Sequence, residues 1–337
     1  MFRYALTPRA LIQRCWHITL VLCTIGFATA GSVCFAADTV AVLLSERGGH
    51  YSDYFDALNR SVAALSTPSS AHASVKALRI IELPPGLGRE RPDDALLAGV
   101  STIIAVGVPA MRTAAAWDNV PPVINVLVPR TSYDKVVAES GRLRRRAQFS
   151  AIYLDQPLVR QLNLIRQIFP GKQRVSAVIG PDSALMLPRL RSGLARAGLG
   201  VAIEEVSSEP EILPALSRLL PVSDVLLALP DSVVFTRDTA RSVLLATYRY
   251  QKPLIGFSQA YVNAGALAAV FSTPDQVARQ TVELLLAVPA GRAALPLPVY
   301  PAYFSVAVNR SVARALALDI VADAVLQAAV AAMPEVE

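Results

Sequence analysis

"VLLALPDSVVF", residues 225–235, is the stretch that decides the fold. An unbroken apolar run stops at Pro230-Asp231-Ser232. The same break occurs earlier, in "SAVIGPDSALML" (residues 176–187), at Pro181-Asp182-Ser183. A short run without polar alternation reads as a strand buried on both faces, the habit of parallel sheets covered by helices. Proline followed by Asp and Ser reads as a turn opening a helix. Proline has no N–H to leave unpaired in a first helical turn, and the Asp or Ser oxygen accepts one of the free amides there.

The rest of the chain alternates in the same way. "TVAVLLS" (39–45), "ALRIIEL" (77–83), "STIIAVG" (101–107) and "PVINVLV" (122–128) read as strands, separated by amphipathic segments such as "YSDYFDALNRSVAAL". Beyond the basic stretch "GRLRRRAQF" the rhythm resumes with "FSAIYL", "RVSAVIG", "GVAIEEV", "DVLLALP" and "PLIGFS". Strand–helix alternation predicts an α/β fold of two Rossmann-like lobes with parallel sheets. The seam is placed at residues 147–150. Further on, "GALAAVF", the helix "PDQVARQTVELLLAV" and "YFSVAVN" return the chain after both lobes are complete, which predicts hinge crossovers and a cleft able to close. The expected lobes are 38–147 plus about 261–296, and 148–260 plus about 297–320, with a C-terminal helix or tail at 321–337.

Composition narrows the function. The chain has 337 residues, 53% hydrophobic and 17% charged, enough to form two cores and too apolar for disorder. Arg3, Arg9 and Arg14 precede the apolar "WHITLVLCTIGFATAGSV" and then small residues. Residues 1–36 therefore read as a secretory signal peptide, cleaved after Ala36 or Ala37, with the periplasm as destination. Cys15, Cys23 and Cys34 all lie in it or at its edge, so the mature chain is expected to be held by its cores without disulfides. Removing the three arginines from 32 basic residues leaves 29 against 26 acidic ones, a net charge of +3. Nucleic-acid binding thereby loses its main support.

Several stretches carry a family resemblance. "DVLLALPDSVVF", "KPLIGFS", "AGALAAVFST" and the later "VNRSVARALAL", together with the earlier "STIIAVGVPAMRTAAAWDNVPPVINVLVP", resemble the ABC transporter substrate-binding proteins of the tryptophan/tyrosine type. The resemblance implies a type I periplasmic-binding architecture with three crossovers and one small ligand in the cleft. It also implies an ABC permease or other inner-membrane partner. A departure follows the fourth strand, where "LVPRTSYDKVV" and "RRRAQFSAIYLDQP" replace an Asp-Pro turn and an Asn-x-Thr-Gly hinge, marking a divergent branch.

Ligands of open parallel sheets bind beyond the strands' C-terminal ends. That geometry nominates Ser45, Glu46, Gly107, Val108, Pro129 and Arg130 in the first lobe. In the second it nominates Gly180, Asp182, Ser183, Asp231, Ser232, Ser258 and Gln259. Gly107 and Gly180 are expected to admit a ligand close to the backbone. Asp231 is the foremost candidate, facing a ligand ammonium while Ser232 caps the helix; its alternative role is that of a cap alone.

Catalysis and cofactors find no support. "GFSQA" (256–260) has the strand–Ser–helix look of a nucleophile elbow, yet no His follows it, since His50 and His72 lie far upstream. "GLGRER" lacks the third glycine of a dinucleotide fingerprint, and neither zinc-ligand nor calcium-loop spacing occurs. The sequence thus predicts a monomeric, non-catalytic periplasmic protein that captures a small polar, amino-acid-like solute for an ABC importer. A periplasmic sensor or accessory protein using the same cleft is the reading from another class.

Overall fold

The computed structural model describes residues 38–65, 78–84, 86–88, 90–141, 143, 148–171, 173–287 and 294–334. The expected signal peptide lies outside the described residues. The first sheet holds β1 (Asp38–Leu44), β2 (Leu78–Glu82), β3 (Val100–Val106), β4 (Val123–Val128) and β5 (Phe149–Tyr153), in the order β2-β1-β3-β4-β5 and parallel throughout. Helices α1 (Gly49–Leu65), α2 (Asp94–Leu97), α3 (Val108–Ala116) and α4 (Arg130–Glu139) connect these strands. Successive strand residues point to opposite faces. Ile103 and Ala105 accordingly join Met111, Trp117 and Tyr133 on one side, while Ile104 and Val106 join Tyr54 and Leu58 on the other. Burial on both faces explains why β1, β3, β4 and β5 are largely apolar, whereas the edge strand β2, only partly buried, keeps Arg79 and Glu82.

The second sheet contains β6 (Arg174–Ile179), β7 (Gly200–Glu205), β8 (Val225–Leu227), β9 (Leu254–Gly256), β10 (Ala268–Phe271) and β11 (Ser305–Val308). Its order is β11-β10-β9-β8-β6-β7, parallel except for the antiparallel β10–β11 pair. Helices α5 (Leu158–Ile168), α6 (Leu187–Arg196), α7 (Ile212–Leu219), α8 (Arg237–Arg249) and α9 (Gln259–Ala264) accompany it. Helix α10 (Pro274–Ala287) follows β10, and α11 (Arg310–Ala315) and α12 (Asp323–Ala331) complete the chain.

The lobes divide elsewhere than the alternation implied. Strand β5 hydrogen-bonds to β4 in the first sheet instead of opening the second, and residues 261–271 belong to the second sheet's side through α9 and β10. Periodicity marks a strand but says nothing of which edge it joins, because that pairing is non-local. Helix α10 does return to the first lobe. Its Val277, Ala278, Val282 and Leu285 pack in one cluster with Tyr54 and Leu58, and the buried Tyr54 hydroxyl donates to Thr281 Oγ1 at 3.0 Å. Val299 then bridges to β5 before the chain re-enters the second sheet at β11.

Three segments therefore cross between the lobes, at residues 154–157, 272–273 and 300–304. They are tied side by side. Gln156 Nε2 donates to Ser272 Oγ at 2.8 Å, and Ser272 Oγ donates to the Tyr303 carbonyl at 2.6 Å. Arg160, 4% exposed, reaches back from α5 to Gln156 Oε1 at 2.7 Å and to the Pro301 carbonyl at 3.0 Å, with its guanidinium 4.3 Å from the centre of the Phe304 ring.

Asp155, in the first crossover, accepts the Arg130 backbone N–H at 2.5 Å. Burial pushes its carboxyl up to about 6, against the opposing pull of that amide and of the Arg130 guanidinium. A carboxyl raised in the folded state binds its proton more tightly there than in the unfolded chain. Its contribution to stability is thus fully present below the unfolded value near 3.8 and is lost as pH rises through about 6. We expect the stability of wild type relative to Asp155→Asn to fall by on the order of 3 kcal/mol across this window. Urea titrations at stepped pH measure it, and a difference that stays flat from pH 4 to 7 would contradict the assignment.

Candidate functional site

The strand ends of the two lobes meet around a cleft of about 770 Å³. From the first lobe, Val108 and Arg112 of α3 reach it, as do Pro129, Thr131, Ser132 and Lys135 at the start of α4. From the second come both Pro-Asp-Ser turns, Leu185, and the rings of Phe235 and Phe257. Strand β4 approaches the cleft through an irregular step. Leu127 adopts φ 54°, a left-handed conformation that side chains rarely take, and the register against β5 shifts there.

The two Pro-Asp-Ser turns are bonded to each other. Asp231 Oδ2 accepts the Asp182 N–H at 3.1 Å, the Ser183 N–H at 2.9 Å and the Ser183 hydroxyl at 2.8 Å. Its Oδ1 accepts the Val233 and Val234 N–H groups of its own turn at 2.8 and 3.2 Å. In return, Asp182 Oδ2 accepts the Ser232 N–H at 3.2 Å. Asp231 is 9% exposed, and five donors occupy its two oxygens. Its oxygens are held by the two turns, the arrangement of a cap, although Asp231 also borders the cleft; Asp182, on the same wall, is the more accessible carboxylate.

The glycine reading changes as well. A Cβ on Gly180 would fall within 2.6 Å of the Asp231 carboxylate atoms, so the missing side chain admits Asp231. Gly107, at φ 87°, makes room for Ser45 Oγ and the Tyr51 ring, which a Cβ would meet at 2.6 and 2.8 Å. Both close approaches are filled by the protein's own side chains.

The remaining candidates separate into cleft and scaffold. Val108, Pro129, Asp182 and Ser232 line the cleft. Ser45 donates to the Val106 carbonyl at 2.6 Å and accepts the Ala110 N–H at 3.1 Å, fastening the start of α3 to the sheet. Ser183 is fully buried against Gly180 and Asp231. Ser258 caps α9 by accepting the Tyr261 N–H at 3.3 Å, and the exposed Gln259 side chain donates to Asn263 at 2.9 Å. Glu46 is exposed and does not line the cleft. Arg130 turns toward the crossovers, where its Nη1 donates to the Tyr300 hydroxyl at 2.6 Å and its guanidinium lies 5.8 and 5.4 Å from the Tyr153 and Tyr300 ring centres.

Inspection of strand ends missed Arg112, Lys135, Phe235 and Phe257. Helical spacing could have found Arg112, which stands four residues after Val108, one turn further along a face already assigned to the cleft. The two phenylalanines stand edge to face at 6.4 Å. Across from the cations, then, stand a carboxylate and an aromatic pair.

This architecture is that of the type I periplasmic-binding proteins. The chain belongs to the family described as ABC transporter substrate binding protein, whose model it matches over residues 154–332, just over half its length. No curated protein matches it. Among solved structures it is similar to an ABC domain in complex with L-Trp from Streptococcus pneumoniae, with 15% identity, a TM-score of 0.57, and 87% of this chain and 98% of that one covered. It is also similar to the ligand-free, open form of a substrate binding protein with adhesive properties from Clostridium difficile, with 14% identity, a TM-score of 0.61, and coverage of 85% and 97%. A conserved domain protein from Vibrio cholerae aligns at 17% identity with a TM-score of 0.56, covering 86% and 98%.

The bonding of Asp231 has a measurable consequence. Asparagine in its place presents an NH₂ group where only acceptors fit, leaving buried amides without partners. Asp231→Asn should lower stability by roughly 2–4 kcal/mol, whereas Ser232→Ala should stay within about 0.5 kcal/mol of wild type. Chemical denaturation distinguishes the two, and an Asp231→Asn protein as stable as wild type would remove the proposed staple.

Proposed function

We propose that the protein captures a small zwitterionic, amino-acid-like solute in the interlobe cleft, in the periplasm, and delivers it to an ABC permease of the inner membrane. The observation that carries this reading is the opposition of charge across the cleft. Arg112 and Lys135 stand on the first-lobe wall and Asp182 on the second, with Phe235 and Phe257 beside it. A carboxylate on one side and an ammonium on the other match this pattern, and an apolar or aromatic side chain matches the rings. Leu185, 71% exposed, stands at the cleft where such a side chain would cover it. Three crossovers suit a hinge that closes over the solute, and membership of the substrate-binding family supports the same role. The L-Trp held by the Streptococcus pneumoniae structure is consistent with this class of ligand. For the periplasmic location, support comes from the signal-like N-terminal sequence, and among the described residues no helix is long and apolar enough to cross a membrane.

The test is a thermal-shift library of amino acids, short peptides and other small solutes, followed by calorimetry on any hit. A binding solute at a hundred times its Kd should stabilise the protein by about 2.7 kcal/mol. Arg112→Gln with Lys135→Gln should weaken an amino acid about tenfold, yet leave its decarboxylated amine almost unaffected. A library without a single shift would contradict solute capture.

A further inference from the structure

A second cavity, of about 270 Å³, lies on the flank of the second lobe between α5 and α6, bordered by Met333 and Pro334 beyond α12. It shares no residue with the interlobe cleft. Leu158, Leu162 and Met186 give it an apolar floor. Around that floor stand three arginines. Arg189 and Arg196 are seven residues apart on α6, on one face, and Arg166 occupies the last turn of α5 opposite them. Among the described residues none of these three guanidinium groups has an ion pair or a side-chain hydrogen bond. Asn163, one turn before Arg166, also lines the cavity. It is 4% exposed, and its Nδ2 has no hydrogen-bond partner.

Three cations sharing one small cavity repel each other, and an anion among them relieves that repulsion. The arginine fork binds oxyanions through paired N–H donors. An apolar floor, by contrast, gives nothing to a hydrated inorganic ion and favours hydrocarbon removed from water. A buried amide donor without a partner adds a polar group that a ligand oxygen could satisfy after a small side-chain adjustment. We propose that this cavity is a second ligand site, specific for a compact amphipathic carboxylate with an aliphatic or aromatic body. Leu158 opens α5 directly after the first crossover and Tyr300 begins the third, so an occupant sits against the hinge.

Isothermal titration of the protein with sodium octanoate, sodium butyrate and inorganic phosphate tests the proposal. Octanoate should bind at one site, more tightly than butyrate, with phosphate giving no heat. Arg189→Gln combined with Arg196→Gln should weaken octanoate about tenfold, and Ser192→Trp, which places a large ring in the cavity mouth from an exposed position, should abolish binding. Circular dichroism confirms that each variant is folded. Octanoate could instead enter the cationic interlobe cleft, and Arg112→Gln with Lys135→Gln identifies that case. Loss of octanoate binding in the cleft variant but not in the α6 variants would overturn the proposal, as would phosphate binding as well as octanoate or no octanoate binding at millimolar concentration.

Discussion

The wall of the cleft depends on one buried carboxylate. Asp231 lies between two turns that are 49 residues apart in sequence and accepts hydrogen bonds from both. A carboxylate withdrawn from water costs several kcal/mol unless its oxygens are matched by donors, and here five donors match them. Removing the charge leaves the amides at Ser183 and Val233 without acceptors at the point where strand ends become cleft. Gly180 follows from the same constraint, because only a residue without Cβ lets the carboxylate approach.

The crossovers supply the second constraint. Gln156, Ser272 and Tyr303 come from three separate crossings and form one hydrogen-bonded chain, with the buried Arg160 behind them. Three parallel segments tied in this way restrict the lobes to bending about a shared line. Asp155 and Arg130 lie beside that line, and Arg130 begins the helix whose next turn faces the cleft. The same helix thus touches both the crossovers and the cleft.

Much of the fold was legible in the sequence because burial on both faces writes itself as uninterrupted apolar runs. Every strand from β1 to β11 falls, to within a residue, inside a run marked in the sequence, although β2 and β7 carry charged residues and are only partly buried. Sheet membership was not legible for β5 and β10, since neighbours in a parallel sheet are joined through distant segments. The site was legible only in part. Strand ends pointed to Val108, Pro129, Asp182, Asp231 and Ser232, which do line the cleft. The same rule also selected Ser45, Ser183 and Ser258, whose oxygens are spent on neighbouring backbone. A repeated Pro-Asp-Ser looks like two independent helix caps, and nothing local distinguishes that from one carboxylate serving both turns.

The division of labour at the cleft follows from these contacts. Asp231 holds the wall, while Asp182, Arg112, Lys135, Phe235 and Phe257 line the cleft in which we propose the solute is held. A crystal structure of the protein with its bound solute tests this most directly. The account predicts the solute's carboxylate beside Arg112 and Lys135, its apolar body against Phe235 and Phe257, and all five hydrogen bonds to Asp231 intact. A solute held directly by Asp231, with the Asp182 and Ser183 amides released, would contradict it.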